Sequence, residues 1–409
     1  MFAFNYYKII FQIFLLNKIL IKKYLRLKMN SLIKFLNEAH TAAEIYKLNI
    51  DEKINICIGN VSCDMDSAIG AIILAYNMTY KDRYFDDYGN YDNFWIPVIN
   101  CARKEIDARI DISFHLKTHG IDTNKLVYID DLDINYYSEN NLLKLAIIDH
   151  NKLDLSQEKW SESVIFILDH HVDMKDHPKA EKILQFCGSA CSMGINLIFQ
   201  NNLDEEILTK EICQFFVAAI LIDTENFKPS LKGTKWGDPD ELAMFRINRV
   251  MMRSYYHDLI LKKTDRKLNL DLGLELMLKK DYKNYQWKNC IAGISVVFNP
   301  MHEIMSYFGV DDLIVKIKKR MTDNDLDIYS IITQTYLKTG EVCREIMIYD
   351  EDSQRLKTIT DSFEKQCIYP FQRKKFTGFA KNFSFYLFKD ESVSRKKIEP
   401  ILKDIFDKL

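Results

Sequence analysis

The chain has 409 residues, a length that favours two domains over one. Hydrophobic residues make up 47% of the chain and charged residues 28%, which is ordinary for a globular protein with a sizeable core. The formal net charge of −2 excludes the strongly basic balance of a general nucleic-acid-binding protein, so a polyanionic substrate would need a local cluster of cations.

The first 28 residues are apolar and carry only basic charges. Their longest uncharged stretch, Ile9–Asn17, is shorter than the roughly 20 residues that cross a bilayer, so we expect no stable membrane insertion. Three interpretations of residues 1–28 stay open: an extension upstream of a start at Met29, a mitochondrial or other organelle-targeting segment, or a membrane-associating segment. Nine scattered cysteines without a C-x-x-C pair favour a reducing compartment, and we expect a cytoplasmic protein unless residues 1–28 direct it elsewhere.

Strand and helix patterns alternate from residue 31 onward. Helical spacing of apolar residues predicts a helix over residues 31–49, the run Ile54–Ile58 predicts a buried strand, and Ala68–Tyr76 is apolar enough for a packed helix. Further strand candidates are Phe94–Ile99, Leu126–Ile129, Leu145–Ile148 and Val164–Leu168, and further helix candidates are Ser192–Phe199 and Glu206–Leu221. The alternation predicts an α/β fold with a mostly parallel sheet flanked by helices.

The composition becomes highly charged around residues 250–268, and we place the domain connection there. The predicted division is a first domain over 29–255, a linker over 256–268 and a smaller α/β domain over 269–409. Strand candidates in the second domain are Ile291–Phe298, Ile328–Thr335 and Glu345–Tyr349, and Ile398–Leu409 has the pattern of an amphipathic helix.

Acidic and histidine residues follow four apolar runs of the first domain. The four clusters are Asp64 with Asp66, Asp149-His150-Asn151, Asp169-His170-His171, and Asp223-Thr224. Because the carboxyl ends of parallel strands face one crevice, we expect these residues to converge. Each cluster alone is equally typical of a turn or a helix cap. Together they favour a site for two or more Mg²⁺ or Mn²⁺ ions, which can bridge and activate a water, over a zinc site, for which no Cys–His spacing is present.

The same clusters resemble, in matching order, the four motifs of the DHH superfamily of phosphoesterases: Asp64-x-Asp66-Ser67, Asp149-His150-Asn151, Asp169-His170-His171 and Asp223-Thr224. Near the C-terminus, Ser394-Arg395-Lys396-Lys397 resembles a signature of the DHHA2 domain of family II inorganic pyrophosphatases and exopolyphosphatases. Asp281-Tyr282-Lys283 resembles the opening of that domain. The resemblance covers about residues 50–409 and implies a DHH domain followed by a substrate-binding DHHA2 domain.

The resemblance also implies roles for individual residues. The metal ligands would be Asp64, Asp66, Asp149, His170 and Asp223, with Asp149 bridging two ions. Asp169 would orient an imidazole, and His171 would contact the phosphoryl group or protonate the leaving oxygen, so the catalytic candidates are His171, Asp149 and Asp169. The substrate-binding candidates are Asn60, His171, Arg395 and Lys396.

Two positions separate the branches of the family. Family II pyrophosphatases carry a metal-binding histidine at the position of Asn60, whereas prune-type phosphodiesterases replace the histidine equivalent to His171. The pattern is therefore closest to the eukaryotic, yeast-type exopolyphosphatases, which implies hydrolysis of terminal phosphate from inorganic polyphosphate by a metal-bridged water between the two domains. The alternatives are a pyrophosphatase, a prune-type nucleotide phosphodiesterase and a non-catalytic polyphosphate-binding protein. We expect no nucleic-acid partner, and the oligomeric state stays open.

Overall fold

The computed structural model describes residues 32–48, 50–85, 94–247, 253–288, 290–336, 342–390 and 393–408; the predicted segment 1–28 lies outside them. Helices of the first domain are α1 Leu32–Leu48, α2 Met65–Phe85, α3 Ile110–Thr118, α4 Ile134–Glu139, α5 Ala190–Gln200, α6 Asp204–Ile207, α7 Lys210–Asp223 and α8 Asp238–Arg246. Its strands are β1 Ile54–Ile58, β2 Trp95–Ile99, β3 Val127–Tyr128, β4 Leu143–Ile148, β5 Val164–Asp169 and β6 Glu181–Leu184. Short 3₁₀ helices occupy Arg103–Ala108, Thr123–Lys125, Leu155–Ser163 and Pro229–Leu231.

The six strands of the first domain form one sheet in the order β3-β2-β1-β4-β5-β6, and all its pairs are parallel. Every residue of the central strand β1 is buried, as expected of a parallel strand covered on both faces. The strand order changes direction between β1 and β4, which are neighbours in the sheet. The loops that leave these two strands therefore open a crevice at the carboxyl edge, where ligands of such folds bind.

The predicted helix over Glu206–Leu221 is wrong in extent, because the chain forms two helices there. The helix α6 ends at Ile207, and α7 starts anew at Lys210. The hydroxyl of Thr209 accepts a hydrogen bond from the backbone N–H of Ile212, which is the N-cap interaction that begins a helix. This restart matters for the site because Asp223 is the last residue of α7.

The region of the predicted linker is helical and packs on the first domain. It contains α9 Arg253–Thr264 and α10 Arg266–Asp271. Tyr255 and Leu259 of α9 belong to the buried core of the first domain, and the hydroxyl of Tyr255 lies 2.6 Å from Nδ1 of His115. The side chains of α9 are thus held in place relative to the first sheet.

The second domain is built on an antiparallel sheet with one parallel pair. Its helices are α11 Leu274–Lys279, α12 Met301–Phe308, α13 Val310–Asp323, α14 Ser353–Gln366 and α15 Arg395–Phe406. Its strands are β7 Tyr282–Trp287, β8 Cys290–Val297, β9 Ile328–Thr333, β10 Thr335–Tyr336, β11 Val342–Tyr349, β12 Phe371–Lys374 and β13 Phe383–Phe388. The order is β12-β13-β11-β9-β8-β7, and β10 pairs with β11. Among the described strands of this second sheet, only β8 and β9 run parallel.

Two separate clusters of buried residues stabilise this second sheet. One contains residues of α14 and α15, such as Phe363 and Leu402, and the other contains residues of α12 and α13, such as Ile304 and Ile317. Across the ranges that the structure describes, no helix combines the length and the apolar character needed to cross a bilayer.

Candidate metal and phosphate site

Polar side chains from three segments of the first domain meet at the carboxyl edge of its sheet. Asp64 and Asp66 follow β1, Asp149 follows β4, and His170 and His171 follow β5. Ligand atoms of Asp149, Asp169, His170 and His171 all lie within 4.8 Å of one another. The convergence places carboxylates and imidazoles close enough to share bound cations.

The carboxylate of Asp149 lies at the centre of the cluster. Its Oδ2 accepts hydrogen bonds from Nδ2 of Asn60 at 2.7 Å and from the hydroxyl of Ser67 at 2.6 Å. Its Oδ1 lies 3.1 Å from Nε2 of His170. Burial alone would raise the pKa of Asp149, but the hydrogen bond with His170 and the charge of His171 hold that pKa below its usual value. Asp149 is therefore a charged carboxylate.

The ring of His170 is oriented by a backbone carbonyl. Its Nδ1 donates to the carbonyl oxygen of Cys187 at 2.9 Å, and its Nε2 faces Asp149 and, at 3.9 Å, Oδ2 of Asp66. Burial would lower the pKa of His170, but the two hydrogen bonds and the charge of Asp149 raise that pKa well above its usual value. A metal-binding histidine commonly donates its other N–H to a carbonyl in this manner, which leaves Nε2 as the ligand atom.

Three further carboxylates surround this pair. Asp66 accepts hydrogen bonds from the hydroxyl of Ser189 and from two backbone N–H groups at the start of α5. Burial and the charge of Asp149 raise the pKa of Asp66 to about 6. Burial, followed by the charge of Asp149, also raises the pKa of Asp64. Burial and the charges of Asp66 and Asp64 raise the pKa of Asp223 well above its usual value.

The arrangement fits divalent cations. The buried Oδ2 of Asp223 has no hydrogen-bond partner within the described part of the chain, and the raised pKa values show several acids without enough compensating positive charge. Carboxylate oxygens with a single imidazole are the ligands that suit Mg²⁺ or Mn²⁺. Of the five predicted ligands, Asp149 and His170 belong to the group whose ligand atoms lie within 4.8 Å of one another, and the full set of Asp64, Asp66, Asp149, His170 and Asp223 stays a prediction.

Asp169 is fully buried and lies behind His171. Its Oδ1 lies 2.8 Å from Nδ1 of His171, and its Oδ2 accepts from Nδ2 of Asn151 at 2.5 Å. Since the carboxylate fixes the proton of His171 on Nδ1, the opposite nitrogen, Nε2, is available to a ligand. About a third of the His171 side chain is exposed, so this nitrogen is accessible to a substrate.

Asn60 is buried with both ends of its amide occupied. Its Oδ1 accepts from the N–H and the hydroxyl of Ser62, and its Nδ2 donates to Asp149. In this arrangement Asn60 orients Asp149. Its predicted contact with the substrate stays a prediction.

The second domain contributes cations that face the acidic cluster. Arg395 is the first residue of α15, and its guanidinium lies 2.8 Å from Oδ1 of Asp281. Lys283 of β7 is half-buried, and desolvation and the charge of Arg395 lower its pKa, while Asp149 and Asp64 act in the opposite direction. Lys396 is exposed, and no contact with the cluster is found among the described residues.

No role was predicted for Lys283, although it belongs to the Asp281-Tyr282-Lys283 motif at the opening of the second domain. A usable signal was present: positions 281 and 283 are two apart at the start of a strand and therefore share a face. Ser67, Asn151 and Ser189 were also missed as groups that position the acids, because their partners are distant in sequence.

Comparison with known proteins agrees with these features. Residues 53–220 match the N-terminal domain of the DHH family, and residues 262–405 match the DHHA2 domain. "Exopolyphosphatase PRUNE1" of Mus musculus is 24% identical over 357 residues, which cover 86% of this chain and 75% of that protein. "Putative exopolyphosphatase" of Schizosaccharomyces pombe is 25% identical over 366 residues, which cover 85% of this chain and 89% of that protein.

Similarity to a solved structure concerns the fold. The crystal structure of Methanococcus jannaschii putative family II inorganic pyrophosphatase superimposes with a TM-score of 0.58 and 17% identity. The superposition covers 87% of this chain and 100% of that one. Most of the present chain therefore shares its fold with a solved structure.

Proposed function

We propose that this chain is an exopolyphosphatase that hydrolyses terminal phosphate from inorganic polyphosphate. The basis is that the chain belongs to the DHH superfamily of phosphoesterases and carries a DHHA2 domain. The proposal depends on one observation above all. The acidic cluster of the first domain faces Lys283 and Arg395 of the second, and the charge of Lys283 interacts with those of Asp149 and Asp64. A polyanion with bound cations satisfies both sets of charges. The names of the two relatives described above support polyphosphate as the substrate class.

We assign the roles as follows. Mg²⁺ or Mn²⁺ ions held by the five ligands of the first domain would lower the pKa of a water and neutralise phosphate charge. His171, oriented through Nδ1 by Asp169, would in its doubly protonated form donate from Nε2 to a phosphoryl or leaving oxygen. Lys283 and Arg395 would bind the terminal phosphates, since guanidinium and ammonium groups donate several hydrogen bonds to phosphate oxygens.

We place the DHH unit at residues 29–255 and the DHHA2 unit at 269–409, joined through 256–268. The chain segment between the units is mainly helix, and Lys279 of the second unit forms an ion pair of 2.6 Å with Glu105 of the first. In this arrangement the substrate would bind between the two units.

Phosphate release by the purified protein tests the proposal. With Mg²⁺ or Mn²⁺, we expect release from long-chain polyphosphate and tripolyphosphate, with pyrophosphate and cyclic nucleotide left intact. A chelator should reduce the rate at least about 10³-fold, because without the cations nothing activates the water, and added metal should restore it. Preference for pyrophosphate or a cyclic nucleotide would identify one of the alternative enzymes. Binding of polyphosphate without any turnover would identify a binding protein.

Replacing Arg395 by Met should raise the KM for polyphosphate about tenfold or more and change kcat less. The loss corresponds to charged hydrogen bonds, which contribute about 1.5–3 kcal/mol each. Steady-state kinetics on the full chain measure it, and thermal unfolding checks that the variant is folded.

Two neighbouring lysines serve as comparisons for Arg395→Met. Lys397→Met is the control, because the ammonium of Lys397 lies 5.2 Å above the ring of Tyr369 and not against Asp281. Lys396→Met tests the other predicted phosphate ligand, which is exposed in the structure. An unchanged KM in Arg395→Met would contradict the assignment of Arg395.

A further inference from the structure

A cavity of about 140 Å³ lies between the two domains beside the acidic cluster. Asp223 lines it from the first domain, Lys263 from α9, and Asp281 and Gln334 from the second domain. Its lining is mainly polar and contains both acids and lysines. The cavity is therefore a place where a charged ligand would find partners from both domains.

Lys263 is charged, and its ion pair with Asp111 is too long for a hydrogen bond. Burial would lower its pKa, but the carboxylates of Asp111, Asp223 and others nearby raise that pKa above its usual value. Among the described residues, the carboxylate oxygen nearest to its Nζ is Oδ2 of Asp111, at 3.9 Å, which is beyond hydrogen-bond distance. Across the described ranges its Nζ donates no hydrogen bond, although only 23% of the side chain is exposed. A half-buried ammonium group in this state has three donors to offer a ligand.

Other lysines nearby are already engaged. Lys235, which also lines the cavity, lies 2.7 Å from Glu225. Lys279 pairs with Glu105 at 2.6 Å, and Lys280 donates to Oδ1 of Asn269 at 3.1 Å. Lys263 thus differs from its neighbours in having unused hydrogen-bonding capacity directed at the cavity.

The carboxylates around Lys263 have other partners in the working protein. Asp64 and Asp223 are proposed metal ligands, and Asp281 is paired with Arg395 at 2.8 Å. Bound divalent cations would compete for the first two acids and weaken their attraction for Lys263. The ammonium group then needs an anion, and the cavity next to it has room for one.

We infer that Lys263 binds a phosphate group of the substrate chain in this interdomain cavity. The inference rests on the proposed function and adds a binding residue to it. Because α9 packs on the first domain through Tyr255 and Leu259, Lys263 has a fixed position relative to the metal ligands. Lys283 and Arg395, in contrast, belong to the second domain. Lys263 would therefore fix the position of the polyanion relative to the cations. Removing the lysine side chain would weaken substrate binding more than it would slow turnover.

The test uses the full chain with Lys263→Met, Lys263→Arg and the control Lys262→Met. Lys262 is adjacent on α9, but its ammonium lies 5.6 Å above the ring of Phe114. For tripolyphosphate we expect Lys263→Met to raise KM at least about tenfold with kcat changed less than about threefold, since the variant loses a charged hydrogen bond to phosphate. Lys263→Arg should recover part of the loss, and Lys262→Met should match the unmodified protein.

A binding measurement separates this inference from the proposed function. Calorimetry with Mn²⁺ and then with imidodiphosphate, a non-hydrolysable probe, should show retained metal binding and at least tenfold weaker imidodiphosphate binding in Lys263→Met. Equal imidodiphosphate affinity would overturn the inference even if the unmodified protein hydrolyses polyphosphate. Loss of Mn²⁺ binding in Lys263→Met would also overturn the inference, because Lys263 would then be required to position the metal-binding carboxylates rather than to bind phosphate. If the unmodified protein releases no phosphate, the proposed function fails, and the imidodiphosphate comparison still decides on Lys263.

Discussion

Replacing Asp149 by Asn should reduce phosphate release at least about 10³-fold, which corresponds to about 4 kcal/mol of transition-state stabilisation. The amide removes the charge that faces His170 and places an N–H₂ group where Oδ1 or Oδ2 now accepts hydrogen bonds. Asp149 has φ of +64°, a conformation that Asn tolerates better than most residues, so the backbone should be retained. Initial rates of phosphate release measure the loss, and calorimetry should show weakened Mn²⁺ binding.

The matched control for this substitution is Asp130→Asn. Asp130 also follows a strand, β3, but it is exposed and accepts a hydrogen bond from the N–H of Arg103. Activity of this variant should stay within about twofold, since surface substitutions of this kind have small effects. Full activity in Asp149→Asn would show that the acidic cluster is not the catalytic centre.

Replacing Gly59 by Ala should reduce activity at least about 10²-fold and lower the free energy of unfolding by about 1–3 kcal/mol. A Cβ at position 59 would lie 2.5 Å from the carbonyl oxygen and 2.7 Å from the Cα of Ser67. These are backbone atoms of α2, so the loop after β1 must move away from the helix. The shift would separate the hydroxyl of Ser67 from Asp149, which it now contacts at 2.6 Å.

Chemical denaturation and steady-state rates measure both effects of Gly59→Ala. The control is Gly237→Ala, where the nearest atom to an added Cβ is a side-chain carbon of Phe186 at 3.4 Å, an ordinary contact with a side chain. Its activity should stay close to that of the unmodified protein. If Gly59→Ala retained full activity, close packing of this loop on α2 would not be required for the site.

Positions of the acids in the first domain could be predicted because of how parallel strands are built. The strands β1, β4 and β5 are mostly buried and therefore read as largely apolar runs, interrupted only by Asn55 and Lys144, and each is followed by polar residues that reach the crevice. Asp149 and His170 come directly after two such runs, so their convergence follows from the sheet alone. The motifs added the family and an expected role for each residue.

Hydrogen bonds that orient these acids could not be predicted in the same way. Asp66 accepts from Ser189, which is 123 residues away, and this pairing depends on where α5 packs. No binding role was predicted for Lys263 or Lys283 either, because lysines are usually exposed. Nothing in the local periodicity shows that α9 packs against His115 through Tyr255. Long-range packing, rather than local pattern, determines these contacts.

The strand order of the first sheet has a consequence for synthesis on the ribosome. The central strand β1 pairs with β4, which is about 90 residues further along the chain. At a translation rate of about 5–20 residues per second, β1 would wait roughly 5–20 s for this neighbour. During that time its four apolar residues, Ile54, Ile56, Cys57 and Ile58, are open to aggregation or to chaperones. Point mutations that weaken β1 should therefore lower the yield of native protein in cells more than their effect on equilibrium stability would suggest.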